Sequence, residues 1–400
     1  MGFFSKKTAA APRVKAALSA APIAITGLGL ACHAGDQPYE LISSILGQIS
    51  GAQLSDEYQF MSNGGTNVVP RMVPVEEYGD MADRERMRQL AVIALTNATA
   101  QLSANVKPES VLIVIVVNAD LLFRYKKIDT QYLQNHLSDS IPRLSAATYR
   151  ILPNNTGTSA SALRTAIAEL NEGKWQAVIF GGADSLISIF TCQDLYEAGR
   201  LNAVGKSAGI VPGEGAAFVV LQSKDVAAKN TTPALGYLSG LGIAPEPHAR
   251  DADIEATEGL STAINQALTQ AGIAATDIQG IVHGLGAETV HAFEWYQTTQ
   301  KLWPRRVDEQ QRLAVQLGEL EQADIPDDPI PKIILPHMTM GEVGMAALPM
   351  HIAAALAWIE YDEHQARWGF PIRKHLLVCD TPDAPERGAL VITTTLATTT

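Results

Sequence analysis

The chain has 400 residues, of which 46% are hydrophobic, and this is enough for a large core in one α/β unit or in two fused halves. Its formal net charge of −12 argues against a nucleic-acid-binding surface, which needs a basic stripe, and against a general affinity for anionic membranes. The three cysteines, Cys32, Cys192 and Cys379, form no paired motif and no metal-ligand spacing, so we expect a cytoplasmic protein.

The N-terminal segment, residues 1–20, carries basic residues among alanines and is predicted to be a flexible arm. The basic residues are Lys6, Lys7, Arg13 and Lys15. Ser19 and Pro22 interrupt the apolar residues that follow, so the segment lacks the apolar core of a signal peptide. No stretch reaches the roughly 18 uninterrupted apolar residues of a transmembrane helix, and we expect no membrane span.

Short β-branched runs then alternate with amphipathic helices along the chain, which is typical of a layered α/β protein with buried sheets. The predicted strands are Ile23–Thr26, Val111–Val117, Ala177–Phe180, Ala216–Leu221, Gly280–His283, Leu376–Cys379 and Ala389–Thr394. The predicted helices are Met81–Leu102, Ser159–Glu172, Ile254–Ala271 and Leu348–Glu360. Ser159–Glu172 and Leu348–Glu360 are rich in alanine, so neighbours can approach them closely on several sides, as a central helical layer between two sheets requires.

Two similar halves are predicted, residues 21–232 and residues 233–400. The polar stretch Ser223–Pro233 reads as a hinge, and a new apolar run, Gly236–Ile243, follows it. Each half begins with a strand, continues with helices and ends with a late pair of strands, which suits a duplication. The acidic stretch between Asp308 and Lys332 is predicted to be a solvated excursion, with binding of a basic partner as the alternative.

Five segments, spread over residues 22 to 394, resemble motifs of the β-ketoacyl synthase branch of the thiolase-fold family. They are the opening strand and turn Ile25-Thr26-Gly27-Leu28-Gly29, Gly181-Gly182-Ala183-Asp184, Gly213-Glu214-Gly215-Ala216-Ala217, His283-Gly284-Leu285-Gly286 with Glu294, and Met340-Gly341-Glu342-Val343-Gly344. They occur in the family's order and at plausible intervals. The resemblance implies the family's α-β-α-β-α layered fold.

The resemblance also implies a chemistry, decarboxylative condensation, that this sequence satisfies only in part. The family uses a cysteine at the N-terminus of a buried helix, and two histidines that stabilise the enolate. Counting back from Gly181 places Thr156 at the nucleophile position, and an alcohol there has a far higher pKa than a thiol. Thr158 and Ser159 are alternative nucleophiles, whereas Asn154, Thr156 and Ser159 also suit helix capping.

The two histidine positions follow from the same resemblance. His283 stands at the strand end where the family's first catalytic histidine lies. Counting back from Gly341 places Met338 at the second histidine, but a one-residue insertion places His337 there. The spacing from Lys332 to His337 equals the family's lysine-to-histidine spacing and favours His337. We expect Lys332 and Ser159 to contact substrate.

Two further departures surround the implied site. Glu342 replaces a small residue and brings negative charge towards a site that normally stabilises an enolate. The family's Gly- and Phe-rich gating loop is replaced by Cys379-Asp380-Thr381-Pro382-Asp383-Ala384-Pro385. Cys32 and Cys192 are expected to be core residues rather than displaced nucleophiles.

Two functional hypotheses follow. The first is a bacterial, non-condensing pseudoenzyme that acts as a binding, partner or adaptor subunit. It would form a homodimer, or a heterodimer with a thiolase-fold partner, as chain-length-factor subunits do with an active synthase. Degenerate thiolase-like proteins encoded near bacterial effector-secretion genes suggest an adaptor role.

The second hypothesis is an active acyltransferase or 3-oxoacyl synthase on acyl carrier protein or CoA thioesters, with Thr156 or Ser159 activated by His283. The sequence has no complete phosphate-binding or dinucleotide motif, so no cofactor is assigned.

Overall fold

A computed structural model describes residues 22–55, 57–78, 81–118, 130–154, 159–247, 257–286, 288–304, 309–321 and 329–394. The predicted basic arm, residues 1–20, and the predicted nucleophile position, Thr156, lie outside the described residues. The strands are β1 Ile23–Cys32, β2 Gln53–Leu54, β3 Phe60–Met61, β4 Asn67–Val68, β5 Arg71–Met72, β6 Val111–Asn118, β7 Thr148–Asn154, β8 Ala177–Ser185, β9 Glu214–Ser223, β10 Gly236–Pro245, β11 Gly280–His283, β12 Lys332–Ile334, β13 His375–Asp380 and β14 Glu386–Thr393.

The α-helices alternate with the strands, or with groups of strands, along the chain. They are α1 Pro38–Leu46, α2 Asp83–Ala100, α3 Thr130–Ser140, α4 Ser159–Asn171, α5 Ile189–Glu197, α6 Lys224–Lys229, α7 Gly259–Ala271, α8 Thr289–Leu302, α9 Glu309–Gln316, α10 His337–Met340 and α11 Ala347–Gln365. None of these helices, in the part of the chain that is described, has both the length and the apolar character needed to cross a bilayer.

One ten-stranded sheet contains two units with the same strand order. The order is β12-β11-β13-β14-β10-β1-β9-β8-β6-β7, and the units meet where β1 pairs antiparallel with β10. Outward from that junction, each unit has two antiparallel pairings and then two parallel ones, β1-β9-β8-β6-β7 in one and β10-β14-β13-β11-β12 in the other. This repeated order is what a duplication would produce.

The helices form three layers around the two units of the sheet. Helix α2 packs on the outer face of β6, β8 and β9. Helices α4 and α11 lie between the two units and share one core with the inner faces of both. Helices α7 and α8 cover the outer face of β11, β13 and β14. The predicted α-β-α-β-α layering is therefore confirmed.

Helix α11 is buried on all sides, which explains its composition. Every residue from Leu348 to Ile359 is buried, and a helix that is apolar around its whole circumference belongs inside a protein. A single polar ring, that of His351, is enclosed in this stretch. The Ala-rich pattern thus predicted the central position of the helix, while His351 has a separate part in the site below.

A buried ion pair joins α2 to the start of β9. The Arg86 Nε atom donates to Glu214 Oε2 at 2.8 Å, and the two side chains are 1% and 0% exposed. Glu214 also accepts from the Val75 amide and the Ser185 hydroxyl, at 2.6 and 2.8 Å. The glutamate of the Gly-Glu-Gly-Ala motif therefore fixes the start of its strand within the fold.

Several elements differ from the sequence-based predictions. Strand β1 continues past Thr26 to Cys32, because Gly29 lets it approach α2, where an added Cβ would lie 2.0 Å from the Ala94 carbonyl oxygen. The predicted hinge contains helix α6, and the Ser223 side chain caps it by accepting from the Val226 amide. Strands β7 and β12 were not predicted, because their mixed polar composition hides the strand pattern.

Candidate active site

The candidate site lies at the carboxyl ends of β11 and β13, two parallel neighbours in which His283 is the register partner of Cys379. The His283 side chain is 1% exposed and packs edge-on against the Trp295 ring, with centroids 4.7 Å apart. Neither of its ring nitrogens has a hydrogen-bond partner. Buried polar atoms without partners are uncommon, so these nitrogens are free to meet a ligand.

The pKa of His283 lies well below its ordinary value, chiefly because burial disfavours the charged imidazolium. The electrostatic contributions of His351, His291 and His337 lower it further. Four imidazoles therefore share one region. At neutral pH His283 is uncharged and has one nitrogen lone pair available as a base or acceptor.

His351 extends from the central helix α11 towards the end of β13. Its Nδ1 atom lies 3.2 Å from the Cys379 carbonyl oxygen, and donation there leaves Nε2 as an acceptor. The ring also packs against Gly284, where an added Cβ would lie 2.7 Å from Cε1. Burial lowers the pKa of His351 to about 4. The His351 ring is therefore neutral at neutral pH and lies in the same buried region as His283.

His337 is the first residue of α10, and its Nδ1 atom is buried without a partner. Burial and the neighbouring His291 lower the pKa of His337 to about 4. The adjacent Met338, the alternative in the sequence, is 58% exposed. The geometry therefore brings His337, and not Met338, into the neighbourhood of His283.

The first turn of α4, where the family would carry its nucleophile, binds carboxylates from β13 and β14. The Ala160 amide donates to Asp380 Oδ2 at 3.3 Å, and the Ser161 hydroxyl donates to Glu386 at 2.9 to 3.0 Å. Ser159, predicted to contact substrate, is 7% exposed at the start of this turn. Asp380 directly follows Cys379, so the helix start lies beside the strand end that neighbours His283.

Asp380 is buried, and this changes its ionisation. Burial raises the pKa of Asp380 to about 7, although the hydrogen bond from the Ala160 amide opposes the rise. A helix N-terminus favours negative charge because its first amide groups lack partners. The carboxyl group of Asp380 accepts one of these amide donors, that of Ala160.

Glu342 adds a second carboxyl group with an elevated pKa. Its Oε1 accepts from the Gly344 amide at 3.1 Å. Burial and the charge of Asp383 raise the pKa of Glu342 to about 7, with smaller contributions from Asp184 and Glu288. The predicted negative charge near the site is therefore present, and it is partly neutralised by protonation near pH 7.

Arg387 binds the turn between β13 and β14. Arg387 Nε donates to both oxygens of Glu294, at 2.8 and 3.0 Å, and the two side chains are 1% and 3% exposed. Arg387 also donates to the carbonyl oxygens of Pro382 and Ala384, both at 2.9 Å. The turn that replaces the family's gating loop is thus tied to α8.

The three cysteines do not supply a displaced nucleophile. All are buried, and burial raises the pKa of Cys32 to about 11 and that of Cys192 to about 12. Cys379 lies beside His283 in the strand register, but its side chain is 0% exposed and burial also raises its pKa. A thiol under these conditions is not a thiolate at neutral pH.

Comparisons with known proteins agree with this architecture. The family model described as "Beta-ketoacyl synthase, N-terminal domain" matches residues 155–227, which run from the α4 start to α6. Two similar solved structures are "The ishigamide ketosynthase/chain length factor" (16% identity, TM-score 0.69) and a type II polyketide acyl-carrier protein in complex with its ketosynthase bound to the hexaketide (14%, TM-score 0.67). Each match covers 94% of this chain and 99% of the other chain. The chain has a β-ketoacyl-synthase-like, thiolase-type fold.

A third similar structure is a β-ketoacyl synthase from Burkholderia phymatum STM815, with 13% identity and a TM-score of 0.64, covering 94% of this chain and 100% of the other. A comparison with curated protein sequences finds no match. The recognition of the β-ketoacyl-synthase-like fold from five motifs is confirmed.

The predicted site residues have different positions in this fold. His283, His337 and Ser159 lie at the strand-end region, whereas Lys332 does not. Lys332 begins β12 as the register partner of Gly280, at the opposite end of β11 from His283, and its Nζ atom lies 6.0 Å from the Trp358 ring centroid. Strand β12 and a short turn separate Lys332 from His337. Lys332 has the expected sequence spacing from His337, but it lies away from the histidines.

Three residues of the site were not predicted as such: His291, His351 and Asp380. His291 follows the Gly-Leu-Gly turn and is the third residue of α8, and His351 lies within an Ala-rich packing pattern. No spacing in the sequence connects either residue to His283. The departure from the family at Cys379-Asp380 was visible, but the contact of Asp380 with α4 was not.

Proposed function

We propose that this chain is a non-condensing β-ketoacyl-synthase-like subunit that binds a partner protein. The occupied first turn of α4 supports this proposal most directly. Asp380 accepts from the Ala160 amide, and this contact supports a protein carboxyl group in place of the thiolate and the acyl oxyanion that a condensing enzyme stabilises. A second anion placed beside this carboxylate would be repelled by it.

The surrounding groups support the same conclusion. Glu342 and Asp380 both have a pKa of about 7, so negative charge increases around the site as the pH rises above neutrality. An enolate formed by decarboxylation requires donors and positive potential. The neutral histidines provide neither charge nor, in the case of His283, a fixed donor direction.

The proposed partner is a protein of the same fold. The similar structures include a ketosynthase/chain length factor pair and a ketosynthase in complex with an acyl-carrier protein. This chain keeps the β-ketoacyl-synthase-like fold, so it could pair with a second copy or with a ketosynthase-like subunit without catalysing condensation. An adaptor role in bacterial effector secretion is another form of such partner binding, and location in a bacterial cytoplasm is part of the proposal.

An acyl-transfer assay tests the proposal against active condensation. Purified protein is incubated with acetyl and malonyl carrier-protein thioesters, and product formation and intact protein mass are followed. We expect no condensation product and no acyl adduct. Turnover that disappears in His283→Ala would contradict the proposal.

The alternative function, acyl transfer with Thr156 or Ser159 as nucleophile, has one supporting observation. His283 is neutral and its nitrogens lack partners, so a base is available. This hypothesis predicts an acyl adduct that Thr156→Val or Ser159→Ala removes, and a carrier-protein surface around Arg143, Arg150, Arg164 and Lys206. Intact-mass measurement separates the two functions.

A further inference from the structure

Three metal-ligating side chains converge beside the imidazoles. Glu288 is the residue before α8, His291 is the third residue of that helix, and Asp383 lies in the turn between β13 and β14. One oxygen of each carboxylate and one ring nitrogen of His291 all lie within 4.8 Å of one another. The backbone geometry explains the first pair, since a side chain in the first helical turn folds back towards the residue that precedes the helix.

His291 gives the independent sign of a ligand. Its side chain is 8% exposed, and its Nδ1 atom is buried with no hydrogen-bond partner. Buried polar atoms of the protein are rarely left without a partner. A neutral imidazole keeps a lone pair on one ring nitrogen, and this is the form of histidine that binds a metal ion.

Arg200 binds the carboxylates of both Glu288 and Asp383. Its guanidinium donates to Glu288 at 2.7 and 2.6 Å and to Asp383 at 2.9 and 2.8 Å. Each carboxylate oxygen can accept a second interaction, and carboxylate ligands in metal sites are commonly oriented by an outer hydrogen-bond donor. Arg200 therefore fits the role of an outer partner.

The local charge also favours a cation. One guanidinium faces two carboxylates, and Glu342 and Asp184 add further acidic groups to the neighbourhood. Glu288, Asp383 and Asp184 lie close enough to Glu342 for their charges to repel it. Arg387, the other nearby cation, is paired with Glu294. A bound cation would relieve this repulsion.

We propose that Glu288, His291 and Asp383 bind a divalent transition metal ion of the zinc class. One imidazole with two carboxylates suits zinc better than magnesium or calcium, which select oxygen ligands. In a tetrahedral zinc site with bonds of about 2.0–2.1 Å, ligand atoms lie about 3.3 Å apart. The Asp383 side chain is 41% exposed and lies in a turn, so a shift of its carboxylate would bring the ligand atoms to these distances.

Metal titration of the full-length chain tests this site. Protein treated with a chelator and dialysed is titrated with Zn²⁺ by calorimetry and with Co²⁺ by visible absorption. We expect one ion per chain and a tetrahedral Co²⁺ spectrum. His291→Ala and Asp383→Asn should each weaken binding at least tenfold.

The matched control is His364→Ala, because His364 is an exposed histidine 4.0 Å from Glu360 and outside the cluster. Its affinity for Zn²⁺ should equal that of the unmodified chain. Absence of saturable binding, or equal affinity in His291→Ala, would overturn the proposal. Asp383→Asn alters an exposed turn and keeps the side-chain size, so it provides a test even if His291→Ala fails to fold.

Discussion

The Ala160 amide donates a hydrogen bond to Asp380 over 3.3 Å and over 220 positions of sequence. The contact joins the first turn of α4, in one half of the chain, to the end of β13 in the other. A helix start of this kind would stabilise a reactive anion in a condensing enzyme. Here the first turn of α4 binds a protein carboxyl group whose pKa is about 7, and this contact has consequences that can be measured.

A cysteine placed at the predicted nucleophile position should report the effect of Asp380. In Thr156→Cys we expect a thiol that reacts slowly with iodoacetamide at pH 8. The sequence places this position just before α4, whose first turn binds Asp380, and a carboxylate close to a thiol opposes thiolate formation. Thr156→Cys combined with Asp380→Asn should react at least several-fold faster. The rate is read from intact mass against time, and equal rates in the two variants would show that Asp380 does not act on the thiol.

Glu342 should make stability depend on pH in a defined direction. Its pKa is about 7 in the folded chain and near 4.5 when unfolded, so between these values the folded state binds more protons. The Glu342 contribution to stability is therefore complete below pH 4.5 and is lost as the pH rises through 7. Glu342→Gln removes this loss, so its stability relative to the unmodified chain should increase across that window.

Urea unfolding at several pH values between 4.5 and 7.5 measures the effect. Glu363→Gln, an exposed change on α11, is the control and should differ from the unmodified chain by the same amount at every pH. A constant difference for Glu342→Gln as well would mean that this carboxyl group titrates normally.

The fold was more predictable than the site, for a physical reason. Glycines at tight contacts, buried β-branched runs and the Gly-Glu-Gly-Ala segment are local patterns, and they identified the central helices and the order of the motifs. The site depends on contacts between distant positions, such as Arg200 with Glu288 and Asp383, which are 88 and 183 positions apart. A single sequence contains no signal for such pairs. Lys332 shows that a matching spacing can also mislead. It has the family's spacing from His337, but it lies at the end of β11 opposite His283.

All three native cysteines should be unreactive while the chain is folded. Cys32, Cys192 and Cys379 are buried and burial raises the pKa of each thiol, so N-ethylmaleimide should add to none of them within minutes at pH 7. In denaturant, all three should be modified. Intact mass distinguishes the two states. One rapidly modified cysteine in the native chain would identify an activated thiol and would reopen covalent catalysis.

The buried Arg387–Glu294 pair should be the most sensitive ion pair near the site. Arg387→Ala leaves Glu294 buried without its partner and releases the carbonyl oxygens of Pro382 and Ala384. Loss of one member of a buried pair typically costs about 3–5 kcal/mol in the free energy of unfolding. Lys174→Ala, which breaks the exposed pair with Glu172, is the matched control and should have no measurable effect. Chemical denaturation measures both variants. Equal stability of the two would show that the β13–β14 turn is held by its backbone alone, and the Asp380 contact with α4 should then survive in Arg387→Ala.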